Sequence, residues 1–238
     1  RVLFDEVIPG QPNYPAETDP GFAQAVVATA PPRRGTPQER SAPNSALLLE
    51  ARARSYRHCV WGGDIGPLAA GWGEVHGEQF IIAIDRFNNT QVFPSPDFGA
   101  AVFMHELGHN LGLLHGGSDR LNRKPNYFSV MNIAQAYPGP YFKIDYSPVK
   151  FEPLNENEQD ESVGIGFVPP SLLGQRFPYN KAEAGQPRER VDYIAGGNTD
   201  WDGDGVIGIA TNRDLNAGSA EPSPGEILYG FNDWSNIY

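Results

Sequence analysis

The stretch from His105 to His115 reads HELGHNLGLLH and concentrates three imidazoles and a carboxylate on one short segment. On a helix, residues four apart lie about 40° apart around the axis and about 6 Å along it, so His105 and His109 can present both imidazoles to one metal ion. Gly112 permits a sharp turn, which lets His115 return a third imidazole instead of continuing around the helix. Three neutral imidazoles leave the fourth position of a zinc ion open to water, unlike the closed four-ligand structural type. Zinc lowers the pKa of such a water from about 15.7 to about 7 and polarises a carbonyl. Glu106, beside the first ligand, is placed to accept the water's proton and pass it to a leaving amine. The alternative is an amphipathic helix with incidental histidines. It requires five fixed positions to coincide, on the order of once in 100,000 chains of this length.

A second constellation is acidic. NTDWDGDGVIG sets Asp200, Asp202 and Asp204 at alternate positions, followed by Gly205 and Ile207, as in the first eight positions of an EF-hand-like calcium loop. Its twelfth position is Thr211 in place of the expected bidentate glutamate, and Asp214 with Asn216 is expected to complete the shell from a neighbouring turn. The competing reading is a plain loop held by Asp and Asn side-chain turns. The ion's role would be structural, since the lone Cys59 rules out an internal disulfide. The acidic run NENEQDES, Asn155 to Ser162, has the composition to bind a cation but reads first as solvated surface. His58 and His76 lack ligand spacing and read as structural, and Cys59 reads as a buried thiol.

These residues need elements to hold them. Ser95 and Pro96 suit the cap and first position of a helix whose periodicity runs through FGAAVFMHELGHNL to Gly112. FIIAI, Phe80 to Ile84, reads as a strand buried on both faces, with shorter strands at His58 to Trp61 and Ala69 to His76. SALLLEARARSYR, Ser45 to Arg57, predicts a helix with Leu47, Leu48, Ala51 and Ala53 as its apolar stripe. Arg1 to Arg40 is broken by prolines and reads as loop, apart from a short helix within Gly21 to Ala30. Beyond Gly112 regular patterns fade.

With 238 residues, 39% of them hydrophobic and 20% charged, the chain can bury a substantial core as a single domain. Its 27 glycines and 22 prolines predict long loops. A net charge of −11 argues against nucleic acid or an anionic membrane surface as partner. No apolar stretch approaches the roughly 20 residues of a membrane span. The first residue is Arg1, not Met, which reads as a processed form or excised domain that has lost any export signal or inhibitory pro-segment.

HExxHxxGxxH followed by a methionine-containing turn is the pattern of the metzincin proteases, and this chain resembles them. NYFSVMNI supplies the turn, with Met131 sixteen residues beyond His115. HGG at 115–117, IDYS at 144–147 and the terminal FNDWSNIY are similar to a bacterial and archaeal group near the reprolysins and pappalysins, from about Arg57 onward.

The resemblance implies an α/β (α+β) fold. A mixed twisted sheet, a backing helix and an active-site helix would form subdomain 1–114, and a loop-rich subdomain would span 115–238. The implied function is a secreted zinc metalloendopeptidase acting on extended protein or peptide substrates, with Met131 as an apolar floor beneath the metal. Gly73, Glu74 and Val75 would lie on a substrate-binding edge strand, and residues after Met131 would wall the pocket beyond the cut. Astacins carry a metal-assisting tyrosine two residues after that methionine. Here the position is Ile133, which leaves Tyr127, Tyr141 and Tyr146 as nearby tyrosines. Two rival readings stay open: a zinc hydrolase of a non-peptide amide, and a weakly active protein-binding module.

Overall fold

The computed structural model describes residues 7–8, 37–62, 70–84, 96–135, 144–181, 189–208, 211–216 and 225–237. The short helix expected within Gly21 to Ala30, the cap at Ser95 and Tyr141 lie outside them. The fold is of mixed α+β class, and the chain divides into two compact units, Arg1–Gly112 and Leu113–Tyr238. Among the described residues no helix is long and apolar enough to cross a membrane.

The first unit is organised by a four-stranded sheet in the order β1 (Val7–Ile8), β2 (His58–Gly62), β4 (Gln79–Ala83), β3 (Gly71–Gly73). β1 runs parallel to β2 and β2 parallel to β4, whereas β3 is antiparallel to β4. Phe80 to Ile84 is buried throughout, as a strand with neighbours on both edges and an apolar residue at every position requires. β1 falls in a stretch whose prolines suggested only loop.

Helix α1 (Pro37–Ser41) packs on α2 (Ser45–Ser55), tied by Arg52 to Glu39 at 2.5 Å. The expected stripe on α2 is not a buried one: Leu47 is 72% exposed, Ala51 is also exposed, and Leu48 is half-buried. Helix α3 (Pro96–Asn110) packs against β3 and β4. Phe98, Ala101, Val102, His105 and His109 recur at helical spacing and all are buried, while Gly99, Phe103, Glu106 and Asn110 meet the sheet at Ile84, Phe80, Gly71 and the Gln79 carbonyl.

In the second unit, two small antiparallel pairs, β5 (Leu154–Asn155) with β8 (Ile227–Leu228) and β6 (Arg176–Lys181) with β7 (Glu189–Ile194), flank irregular chain. Its core is aromatic. Phe128 stacks on Phe177 at 3.6 Å, and Tyr179 meets Trp201 edge-on at 5.1 Å. Elsewhere side chains do the work of strands. Asn126 donates to the Glu152 carbonyl and to that of Leu228 in β8, and Asn132 donates to the Lys124 and Tyr127 carbonyls, which satisfies peptide groups of irregular chain and of a strand.

Candidate metal centre

Helix α3 delivers His105 and His109 one turn apart, with ring centroids 4.9 Å from each other, and both residues are only 8% exposed. The helix stops where the sequence requires. Gly112 adopts φ +95°, in the left-handed region that glycine enters without strain, and its N–H donates to the His109 carbonyl at 2.9 Å. The His76 N–H reaches the same carbonyl at 3.0 Å. With the helix ended, His115 joins the other two: each of the three histidines offers a ligand nitrogen, and these lie within 4.8 Å of one another. The cluster can hold a metal ion. Imidazole nitrogens as the donor set suit zinc and its transition-metal neighbours better than magnesium or calcium.

Glu106 is 6% exposed and sits against the edge strand. A Cβ added to Gly71 would lie 2.6 Å from Glu106 Oε1, and one added to Gly73 would lie 2.5 Å from the Glu106 carbonyl oxygen and 3.1 Å from His109 Cβ. The Gly-Trp-Gly sequence of β3 therefore turns its two glycines toward α3, and any side chain there would push the strand off the helix. Burial, then the Glu106 charge, raises the Cys59 thiol to about 12, which keeps it inert.

The expected edge strand is shorter than the sequence suggested. β3 ends at Gly73. Glu74 N–H donates to the Gln79 carbonyl and Val75 lies exposed in the following turn, so of the three residues assigned to substrate only Gly73 stays in the strand. Asn110 holds that turn by donating to the Glu74 and Gln79 carbonyls, both at 2.8 Å.

His115 stands in a tight turn closed by reciprocal hydrogen bonds between Leu114 and Gly117. Fully buried Lys124 braces the turn by donating to the Gly116 carbonyl, Asp119 and the Tyr229 carbonyl. Met131 is fully buried and its N–H donates to Ser129 Oγ. The Ser129 hydroxyl donates in turn to Asp233, which also accepts from Tyr127 Oη at 2.7 Å and Ser147 N at 2.9 Å. Burial raises the Asp233 pKa, opposed by those hydrogen bonds and by Lys124. The three motifs NYFSVMN, IDYS and FNDW thus meet at one buried carboxylate. Tyr127 donates its hydroxyl to Asp233, and Tyr146 is buried edge-on to Trp234.

The acidic loop gathers Asp200 and Asp202 with Glu161, their carboxylate oxygens within 4.8 Å of one another. Gln159 exchanges backbone hydrogen bonds with Thr211, and Glu161 N–H donates to the Gly208 carbonyl. Glu161 Oε2 then accepts the Gly208 N–H at 2.7 Å and Oε1 the Trp201 N–H at 2.6 Å. A glutamate from elsewhere in the chain therefore reaches the loop whose own twelfth residue is Thr211. This corrects two expectations. Glu161 belongs to the run read as solvated surface, yet is 1% exposed. Asp214 is not part of this group; its Oδ1 accepts the Asn216 N–H, and its charge acts on Glu156. Asp204 is exposed at the loop, its Oδ1 accepting the Val206 N–H. At Asp200 burial is the largest single influence and raises the pKa, but the hydrogen bonds from Gly205, Gly203 and neighbouring groups together outweigh it, and the pKa is lowered. Only the three-dimensional pairing of Gln159 and Glu161 with Thr211 and Gly208 could have revealed Glu161.

Among the described residues, two non-glycine residues adopt left-handed backbone: His76 at φ +55° and Arg123 at φ +58°. One caps the His109 carbonyl and the other adjoins Asn122, whose amide lies beside His115. Such strain persists where surrounding structure enforces it, most often at working sites. No protein-family model, curated protein or solved structure with which the chain was compared matches it.

Proposed function

We propose that the chain is a zinc-dependent metalloendopeptidase of metzincin type, secreted, and acting on extended protein or peptide substrates. The observation that carries this reading is the three-histidine cluster with the buried Glu106 carboxylate on the residue following its first member. His105, His109 and His115 would hold the ion. Zinc, when bound, supplies an acidified water and a Lewis acid for the peptide carbonyl. Glu106, packed against Gly71, would take a proton from that water and return it to the leaving amine. β3 ends its sheet, and a peptide can add to such an edge by main-chain hydrogen bonds, which leaves side-chain pockets to set specificity.

The test is cleavage of a diverse peptide library, read by mass spectrometry, for the native chain and Glu106→Gln at equal zinc content. Native cuts should fall by about 10²–10⁴-fold in the variant. Equal cutting by both would remove Glu106 from the mechanism, and no cutting by either would point to a non-peptide amide or a binding role.

Glu161, Asp200 and Asp202 in this reading hold a structural calcium ion, with Asp204 in the same loop, and the affinity range of such sites suits the millimolar calcium outside cells. Calcium at a hundred times its dissociation constant should stabilise the native chain by about 2.7 kcal/mol in thermal or urea unfolding. A Glu161→Gln variant that responds to calcium as the native chain does would sink the assignment.

A further inference from the structure

Glu156 and Glu161 stand on one short stretch of chain and make the same set of contacts with two different loops. Glu161 N–H donates to the Gly208 carbonyl and its Oε2 accepts the Gly208 N–H. Its Oε1 accepts the N–H of Trp201, the middle residue of Asp200-Trp201-Asp202. Glu156 repeats the pattern: its N–H donates to the Glu226 carbonyl at 3.0 Å and its Oε2 accepts the Glu226 N–H at 3.3 Å. Its Oε1 accepts, at 2.8 Å, the N–H of Leu215, the middle residue of Asp214-Leu215-Asn216. Trp201 and Leu215 are fully buried in the same aromatic core. One arrangement is thus used twice, with Glu156, Asp214 and Asn216 in the places of Glu161, Asp200 and Asp202.

In the first copy the three carboxylates converge. In the second a carboxamide takes the third place, and its oxygen calls for a ligand. Asn216 is fully buried, and its Nδ2 faces Glu226 Oε2 at 3.4 Å, which fixes Oδ1 as the opposite end. That oxygen has no donor. Asp214 Oδ1 stands at the backbone of the same residue, accepting its N–H at 3.2 Å. A buried oxygen without a donor is costly, and more so among acidic neighbours, whereas a cation satisfies all of them together. Glu156 Oε1, with one N–H on it, keeps a lone pair for such an ion.

We infer that Glu156, Asp214 and Asn216 form a second calcium site, which ties the end of β5 and the start of β8 to the segment 211–216. Donors that are all oxygen, two of them carboxylates, suit calcium better than a transition metal. The inference rests on the calcium reading of the first loop for its chemistry, but uses none of that loop's residues.

The test counts the Ca²⁺ ions bound by the whole chain in equilibrium dialysis and measures their affinities by titration calorimetry. Asp214→Asn keeps an acceptor for the Asn216 N–H but removes the charge, and should lose one ion or bind it about tenfold or more weakly. Glu161→Gln should lose a different ion, so that the double variant lacks both. Asn216→Asp supplies the carboxylate present in the first copy and should tighten the second ion about tenfold, since ligand charge tunes calcium affinity. Tyr193→Phe, which removes a buried hydrogen bond to the Pro125 carbonyl in the same unit, controls for destabilisation alone and should keep both ions. If Asp214→Asn matches the native chain in count and affinity, the second site is overturned, whatever Glu161→Gln does. If Asp214→Asn loses an ion and Glu161→Gln loses none, the first-loop reading fails and the second site stands. A native chain that binds no calcium sinks both. Should Asp214→Asn not fold, unchanged affinity in Asn216→Asp overturns the second site equally.

Discussion

In the first unit β2 and β4 pair their peptide groups in a ladder and α3 pairs its own, whereas in the second Asn126, Asn132, Glu156, Glu161 and Asp233 carry side-chain groups to peptide groups outside the strands. The first arrangement spreads stability over many equivalent bonds, and the second concentrates it in a few buried groups. Removing one such group should therefore cost more in the second unit than a comparable change costs in the first.

The largest effect is expected at Asp233. Asp233→Ala leaves two hydroxyls and a backbone N–H without their acceptor in a fully buried site, and should destabilise the chain by about 3–5 kcal/mol in urea unfolding. A loss below 1 kcal/mol would break the contrast between the units.

In the first unit the comparison narrows to one strand. Gly73→Ala meets the α3 backbone and should cost about 1–3 kcal/mol. Gly71→Ala meets the movable end of Glu106, so it should cost less stability but lower activity about tenfold or more at unchanged zinc content. Equal losses of stability and activity in the two variants would show that β3 positions nothing in particular.

The smallest effect is a pH slope. Burial raises Glu156 from 4.5 to about 7, opposed by the Leu215 and Glu226 amides and aided by Asp214. A carboxyl whose folded pKa is raised contributes stability that is full below 4.5 and is lost as pH rises through about 7. At about 1.4 kcal/mol per pKa unit, the metal-free chain should lose on the order of 2–3 kcal/mol across that window. Glu156→Gln should flatten the slope, and a native chain equally stable at both ends would refute it.

What could be read in the sequence follows the same division. β4 and α3 were legible because periodicity and continuous apolar runs report local structure, and the histidine spacing identified three residues that do converge. β6 and β7 were not foreseen, although Phe177 with Tyr179 and Val191 with Tyr193 alternate as strand residues do; prolines and charges around them obscured the period. Glu161 was misjudged because an acidic run looks alike whether it faces water or folds back onto a loop.

The reach of Glu161 to Trp201, 40 residues along the chain, has a further consequence. Those backbone bonds close a long loop during folding, so the conformational entropy of closure is already spent before any cation arrives. On the calcium reading proposed above, an ion entering there would meet ligands in place and reinforce that closure in a chain with one cysteine, and its release would make local opening and proteolysis easier. A protein so fastened would have its lifetime set by the calcium level of its surroundings.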